Sequence, residues 1–291
     1  MTAYQTFDIE GHTLAALQLN PDATGNPVIL VHGITGNIAA WQFNPLPFIL
    51  EQGPCISLSL PGHFPAAFPP GFRQEQLMVE MLARVMVEAI RQMVGEQPVT
   101  LIGRSTGGFA ALNIAAHYPE MVSRIVSIAG FAHGRWIGFL GAQQRLVRMG
   151  KTGRCLFKAF YRLTGASPGF FRRVLRFYAD GSNAMYIDPN LEQVIELNLV
   201  NYRNLDLNAM VQYFWVMPEM DISSLLPRIL VPTLAIAGDR DQTVPPDESH
   251  KIASLVPNAE LALLPGVRHL SFFECPHEYQ ARLSSWLQKT H

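Results

Sequence analysis

The chain has 291 residues, 48% of them hydrophobic and 15% charged, with a formal net charge of −1. A chain of that length buries a large core and suits one domain carrying an insertion, and its near-neutral balance gives no sign of a nucleic-acid partner. The three cysteines, Cys55, Cys155 and Cys275, are odd in number and widely spaced, so neither a disulfide framework nor a zinc site is indicated. They read as thiols of a reducing, cytoplasmic compartment. Residues 1–10 lack a basic segment followed by an apolar core, so no secretory leader is expected. No run of about eighteen apolar residues marks a membrane span.

Residues 6–9 and 14–19 flank the turn-rich Glu10-Gly11-His12 and predict an antiparallel hairpin. A buried strand follows at Val28-Ile29-Leu30-Val31 and ends at His32-Gly33-Ile34-Thr35-Gly36, whose glycines let the loop approach a pocket. Residues 38–52 predict a helix interrupted near Pro45 and Pro47, with Trp41, Phe48 and Ile49 on one face. Residues 55–60 form the next strand, ending at Pro61-Gly62-His63. Residues 74–94 carry Leu77, Met81, Val85 and Ile90 at helical spacing and lead into the strand Val99-Thr100-Leu101-Ile102. That run stops at Gly103-Arg104-Ser105-Thr106-Gly107-Gly108, after which residues 109–117 continue as helix until Pro119 stops it. Residues 124–129 predict another strand. Strands alternating with helix-length segments imply an α/β fold with a mostly parallel, doubly wound sheet. The rhythm breaks after Gly130 and resumes over 229–237 and 261–264, with a closing helix over 271–289 that carries Tyr279, Leu283, Trp286 and Leu287. The predicted core is therefore residues 1–130 and 228–291, with residues 131–227 inserted as a helical cap, or lid.

Gly-x-Ser-x-Gly between a strand and a helix is a nucleophile elbow. Gly103 and Gly107 let strand and helix pack closely, while Ser105 is held in strained backbone geometry with its hydroxyl outward. The same letters fit an ordinary Gly-rich turn with a capping serine, so the motif gains meaning only from its partners. A serine hydroxyl needs a base to take its proton and a carboxylate to orient that base. The run 233–237 ends at Gly238-Asp239-Arg240-Asp241, and the run 261–264 ends at Pro265-Gly266-Val267-Arg268-His269. Both candidates stand just beyond strand ends, where open parallel sheets place their ligand chemistry. Two backbone N–H groups must hold the oxyanion; they are assigned to Ile34 and Thr106, with Gly33 opening the loop. His63 is weighed as a second base and reads instead as a loop histidine near the pocket rim, because His269 fills that role.

With these motifs in this order, the sequence resembles the α/β-hydrolase fold serine hydrolases with a helical cap, esterase- or lipase-like, over residues 6–131 and 229–291. The resemblance implies Ser105 as nucleophile, His269 as general base and then acid, and Asp241 as the residue that orients the imidazolium. Asp241 is preferred to Asp239 because the family places its acid three residues after a glycine, here Gly238, and before a Val-Pro pair, here Val244-Pro245. The resemblance implies no metal and no cofactor. Two positions depart from the family. Arg104 stands where a histidine or another aromatic is common, and Ser59 where an aspartate is common. Arg104 would either bind an anionic part of the substrate or, on the plainer reading, pair with a buried carboxylate. A serine at the elbow disfavours epoxide opening and halide displacement, which relatives run with aspartate. The expected reaction is hydrolysis of a carboxylic ester of a hydrophobic acyl or lipid-like substrate. Carbon–carbon bond hydrolysis, cofactor-free perhydrolysis and a non-catalytic hydrophobic-ligand binding protein stay open as alternatives.

Residues 131–179 hold ten arginines and lysines and no aspartate or glutamate, so the rest of the chain sums to −11. Arg145, Arg148, Lys151, Arg154, Lys158 and Arg162 recur at spacings of three and four, with Leu146, Val147, Met149, Leu156, Phe157, Phe160 and Tyr161 between them. On one helical face such a segment would meet an anionic membrane surface. A cytoplasmic protein with peripheral membrane contact through a basic cap is thus one expectation. The other is a cap that lays its cations along its own apolar surface. Gly150 and Gly153 interrupt the stretch.

Overall fold

The computed structural model describes residues 4–42, 47–179 and 191–289. Among these, strands β1 (Gln5–Ile9), β2 (His12–Gln18), β3 (Val28–Val31), β4 (Cys55–Leu58), β5 (Val99–Arg104), β6 (Val122–Ile128), β7 (Thr233–Gly238) and β8 (Ala259–Leu264) form one eight-stranded sheet. Its order is β1-β2-β4-β3-β5-β6-β7-β8. The β1–β2 hairpin turns at Glu10 and Gly11, both at positive φ, as a two-residue turn between twisted strands requires. β2 runs antiparallel to β4, and every pairing from β4 to β8 is parallel. The central strands β3, β4, β5 and β7 are nearly continuous in burial because both sheet faces are covered.

Helices α1 (Pro47–Leu50), α2 (Val79–Val94) and α3 (Thr106–His117) precede β6; α4 (Gly138–Val147), α5 (Gly150–Ala166), α6 (Pro168–Leu175), α7 (Leu191–Asn204) and α8 (Leu207–Val216) lie between β6 and β7; α9 (Pro246–Leu255), α10 (Ser271–Glu274) and α11 (Pro276–Lys289) complete the described chain. One face of the sheet buries Leu101 and Ile125 with Val85, Ile90 and Phe109 of α2 and α3 and Ile252 of α9. The other buries Ile102, Val126 and Ile236 with Trp41, Ile49 and the Tyr279, Leu283 and Leu287 stripe of α11.

Several predicted boundaries move. Residues 38–52 do not form one helix: the described part is a short turn, Ile38–Trp41, and the four-residue α1, while Pro45 lies outside the described residues. Trp41 and Ile49 still reach the same core. The predicted helix over 74–94 begins only at Val79, because Met78 is extended (φ −118°, ψ 160°) and Gln74–Gln76 is a separate turn closed by the Gln76 side chain on the Arg73 N–H. β7 begins at Thr233 rather than 229, since Pro232 cannot donate to a ladder. The final helix is divided at Cys275, before Pro276.

The chain between β6 and β7 leaves and re-enters the sheet through one closed neck. The N–H groups of Ala132 and His133 donate to Glu248 Oε2 at 2.8 and 2.9 Å, and Ile222 N–H and Gly134 N–H tie the two limbs together through Ala132 O and Met220 O. Above the neck the helices share an aromatic core, with Phe157, Tyr161 and Phe214 in mutual ring contact. They dock on the sheet domain through Tyr213 Oη, which donates to Pro61 O at 2.9 Å, and Gln212 Nε2, which donates to Phe72 O at 3.1 Å.

Candidate active site

Ser105 joins β5 to α3 with φ 53° and ψ −116°, a left-handed conformation that an L-residue rarely adopts. Its N–H donates to Ile128 O on the neighbouring strand at 2.7 Å, which holds the strained turn against the sheet. The two flanking glycines are sterically required: a Cβ at Gly103 would lie 2.1 Å from Gly107 O, and one at Gly107 would lie 2.3 Å from Val31 O. Ser105 is buried, and its Oγ has no hydrogen-bond partner among the described residues. Thr106 opens α3, so its N–H has no intrahelical acceptor.

The loop after β3 packs against this turn. A Cβ on Gly33 would stand 3.3 Å from both Arg104 O and Ser105 Cβ, so glycine lets the loop close on the serine. Ile34 follows, then Thr35 at φ 59°. Two groups from α7 hold Thr35: Asn201 Nδ2 donates to its carbonyl at 2.7 Å, and Tyr202 Oη bonds its Oγ1 at 3.1 Å. At the loop's root, buried His32 Nδ1 bonds Gly33 O at 2.8 Å and Nε2 accepts the Leu60 N–H at 3.2 Å, which fixes a neutral ring. Burial pulls its pKa down to about 4, against the favourable bond to Gly33 O.

His269 and Asp241 meet across the ends of β7 and β8. His269 Nδ1 donates to Asp241 Oδ2 at 2.6 Å, and Asp241 Oδ1 accepts the N–H groups of Thr243 and Val244 at 2.7 and 3.1 Å. The remaining ring nitrogen, Nε2, is thereby left to serve as a base. Asp239, the other carboxylate of the loop, instead accepts the Gly266 N–H at 2.7 Å and is exposed. Ser105 and His269 line the same cavity, of about 180 Å³, with Gly33 and Ile34. His32, Thr35, Arg104 and Asn198 are the other polar residues of its wall; the rest is mostly apolar and aromatic, with Leu140, Phe171, Leu175, Tyr178 and Tyr202 coming to it from the helices between β6 and β7. Tyr178 also accepts the His269 N–H through its carbonyl at 3.1 Å.

Two expectations are corrected. His63 is not on the pocket rim: it is completely buried, edge-on to Tyr213 at 4.9 Å, and burial and the neighbouring His32 push its pKa well below the ordinary value. Arg104 does not pair with a carboxylate among the described residues. Its guanidinium lies between the Trp41 ring at 3.8 Å and the Phe272 ring at 4.0 Å, a double cation–π contact. Burial lowers its pKa and the nearby Tyr279 hydroxyl opposes that shift. Ser59, where the family often has aspartate, accepts the Ala15 N–H at 2.8 Å and locks β2 to the end of β4.

Sequence reasoning missed Asn201, Tyr202 and Tyr178. The aromatic content of residues 131–227 signalled a packed insertion, but no spacing there says which side chains face the pocket. Among the described residues no group of three or more His, Cys, Asp or Glu is placed to hold a metal ion. No described helix is long and apolar enough to cross a membrane.

The elbow and sheet define a class, and comparison with known proteins gives the same one. The alpha/beta hydrolase fold family matches residues 26–276, and the chain belongs to that family. It is 25% identical over 266 residues to a pyrrolizixenacetamide deacetylase of Xenorhabdus hominickii, covering 91% of this chain and 92% of the relative. It is also 25% identical over 281 residues to a 2-hydroxy-6-oxo-6-phenylhexa-2,4-dienoate hydrolase of Burkholderia cepacia, covering 93% and 91%. Among solved structures, an enol-lactonase from Burkholderia xenovorans LB400 superposes with a TM-score of 0.75 at 16% identity over 98% of this chain and all of the other. The protein is an α/β-hydrolase enzyme whose relatives include deacetylases, esterases and carbon–carbon hydrolases.

Proposed function

We propose that the enzyme hydrolyses a carboxylic ester of a hydrophobic acyl substrate through an acyl-enzyme on Ser105. The observation that carries this reading is that Ser105, on a strained turn and with its hydroxyl unpartnered among the described residues, lines the same mostly apolar cavity as a His269 held by Asp241 at 2.6 Å. Ser105 Oγ attacks the carbonyl carbon as its proton passes to His269 Nε2, and Asp241 stabilises the resulting imidazolium. The backbone N–H groups of Ile34 and Thr106 receive the oxyanion. Collapse expels the alcohol, which takes the proton from Nε2; water then attacks the acyl-enzyme with His269 as base, and collapse of the second intermediate releases the carboxylic acid and returns the proton from Nε2 to Ser105 Oγ. Residues 131–227 act as the cap that walls the acyl pocket.

Replacing Ser105 with Ala removes the nucleophile, so initial rates on p-nitrophenyl esters of two to sixteen carbons should fall by at least about a thousandfold. Ester turnover by the variant near the wild-type rate would overturn the assignment. The similarity to a dienoate hydrolase supports carbon–carbon cleavage as a second reading. It predicts that a fluorophosphonate probe labels Ser105 while simple esters are left unhydrolysed.

A further inference from the structure

The basic segment of the sequence is not one helical face. α4 and α5 are separated by a turn at Arg148 and Met149, and several of the cations are engaged sideways. Arg148 Nη2 bonds Glu219 at 2.8 Å, Arg154 lies over the Trp215 ring at 4.7 Å, and Lys158 Nζ bonds Asn208 at 2.6 Å. Arg148 ties the turn, and Arg154 and Lys158 tie α5 itself, to the α8 end of the insertion.

What they leave outward is more specific. α5 buries Gly153, Phe157, Tyr161 and Thr164, so its opposite face is the outer surface of the insertion. Along that face Leu156 is 57% and Leu163 49% exposed, seven residues and thus two turns apart, and Met149 just before the helix is 71% exposed. Lys151 and Arg162 are exposed on the same helix, and Arg145 is exposed in the last turn of α4. The result is an apolar ridge on α5 with Lys151 and Arg162 on one side of it, about a third of a turn around the helix, on a stretch of 49 residues that carries no acid at all.

We infer that this outer face of α5 docks the enzyme on an anionic lipid surface, with Met149, Leu156 and Leu163 entering the interface and Arg145, Lys151 and Arg162 at the headgroups. Large aliphatic side chains cost free energy in water and gain it on entering acyl chains, while cations contribute through the negative surface potential. A polyphosphate partner such as nucleic acid would use the cations and leave the leucines with nothing apolar to touch. The inference concerns the outer surface and does not depend on the chemistry at Ser105.

The test is sedimentation of the full chain with phosphatidylcholine vesicles and with vesicles that also hold phosphatidylglycerol. Binding to the anionic vesicles at low salt is expected, with loss near 0.5 M salt as the charges are screened. Leu156→Asp with Leu163→Asp should lower the partition coefficient at least tenfold, and Lys151→Ala or Arg162→Ala about fivefold each. Hydrolysis of a water-soluble ester should stay unchanged in all of them. Equal recovery with neutral and anionic vesicles, or a leucine variant that binds as wild type does, overturns the inference. Should the double variant misfold, the charge reversal Arg162→Glu carries the same test. Binding to duplex DNA that survives loss of the leucines would also overturn it.

Discussion

At the scale of single residues the site depends on geometry that few side chains tolerate. Asp241 spends one oxygen on two backbone N–H groups and the other on His269, so its orientation is fixed before any substrate arrives. Asparagine there would keep the size but present an amide to Nδ1 and favour the wrong tautomer. Asp241→Asn is expected to reduce kcat on the order of 10³- to 10⁴-fold with little change in folding, read by steady-state kinetics beside circular dichroism. An unchanged kcat would mean that Asp239 or another group orients the base. Arg104 shows the opposite lesson. A charge beside the nucleophile suggested an acidic partner, yet two aromatic faces hold it, a contact no local sequence pattern announces.

At the scale of elements, the insertion reaches the loop after β3 through α7. Thr35 sits in a strained conformation directly after Ile34, and Asn201 and Tyr202 of α7 are what hold it. Under the proposed role of the Ile34 N–H as an oxyanion donor, loosening Thr35 should harm the transition state more than substrate binding. Asn201 is buried, so Asn201→Leu removes the donor while keeping volume. Loss of one such bond is worth about 1–2 kcal/mol, so kcat should fall about five- to thirtyfold with KM within about twofold. A raised KM at constant kcat would assign α7 to substrate binding alone.

At the scale of the whole molecule, pH enters through buried histidines. His32 is neutral in the fold with a pKa of about 4, against about 6.5 when unfolded. Well above pH 6.5 both states are neutral and His32 contributes no pH dependence. As pH falls from about 6.5 to about 4, the unfolded state takes up a proton that the folded state refuses. Stability should then drop by about 3 kcal/mol over that window, and His63 adds in the same direction. Urea midpoints measured between pH 7 and 4 should show the fall, and His32→Gln should flatten it. A variant whose midpoint tracks wild type would place the acid sensitivity elsewhere.

The sequence by itself determined the alternating strands and helices, the elbow at Ser105 and the chain order of serine, acid and histidine. Each of these is a local signal: apolar runs end at glycines, and the polar groups follow at strand ends. It also separated Asp241 from Asp239 only through family spacing, whereas the tertiary structure does so by direct contact with His269. Boundaries at Val79, Thr233 and Cys275 shifted because a proline or one extended residue outweighs periodicity. The pocket wall, the hold of α7 on Thr35, the aromatic clamp on Arg104 and the division of the basic segment were decided by the tertiary structure alone. They join residues from tens to well over a hundred positions apart, and only packing decides which face of a helix becomes core, pocket or surface.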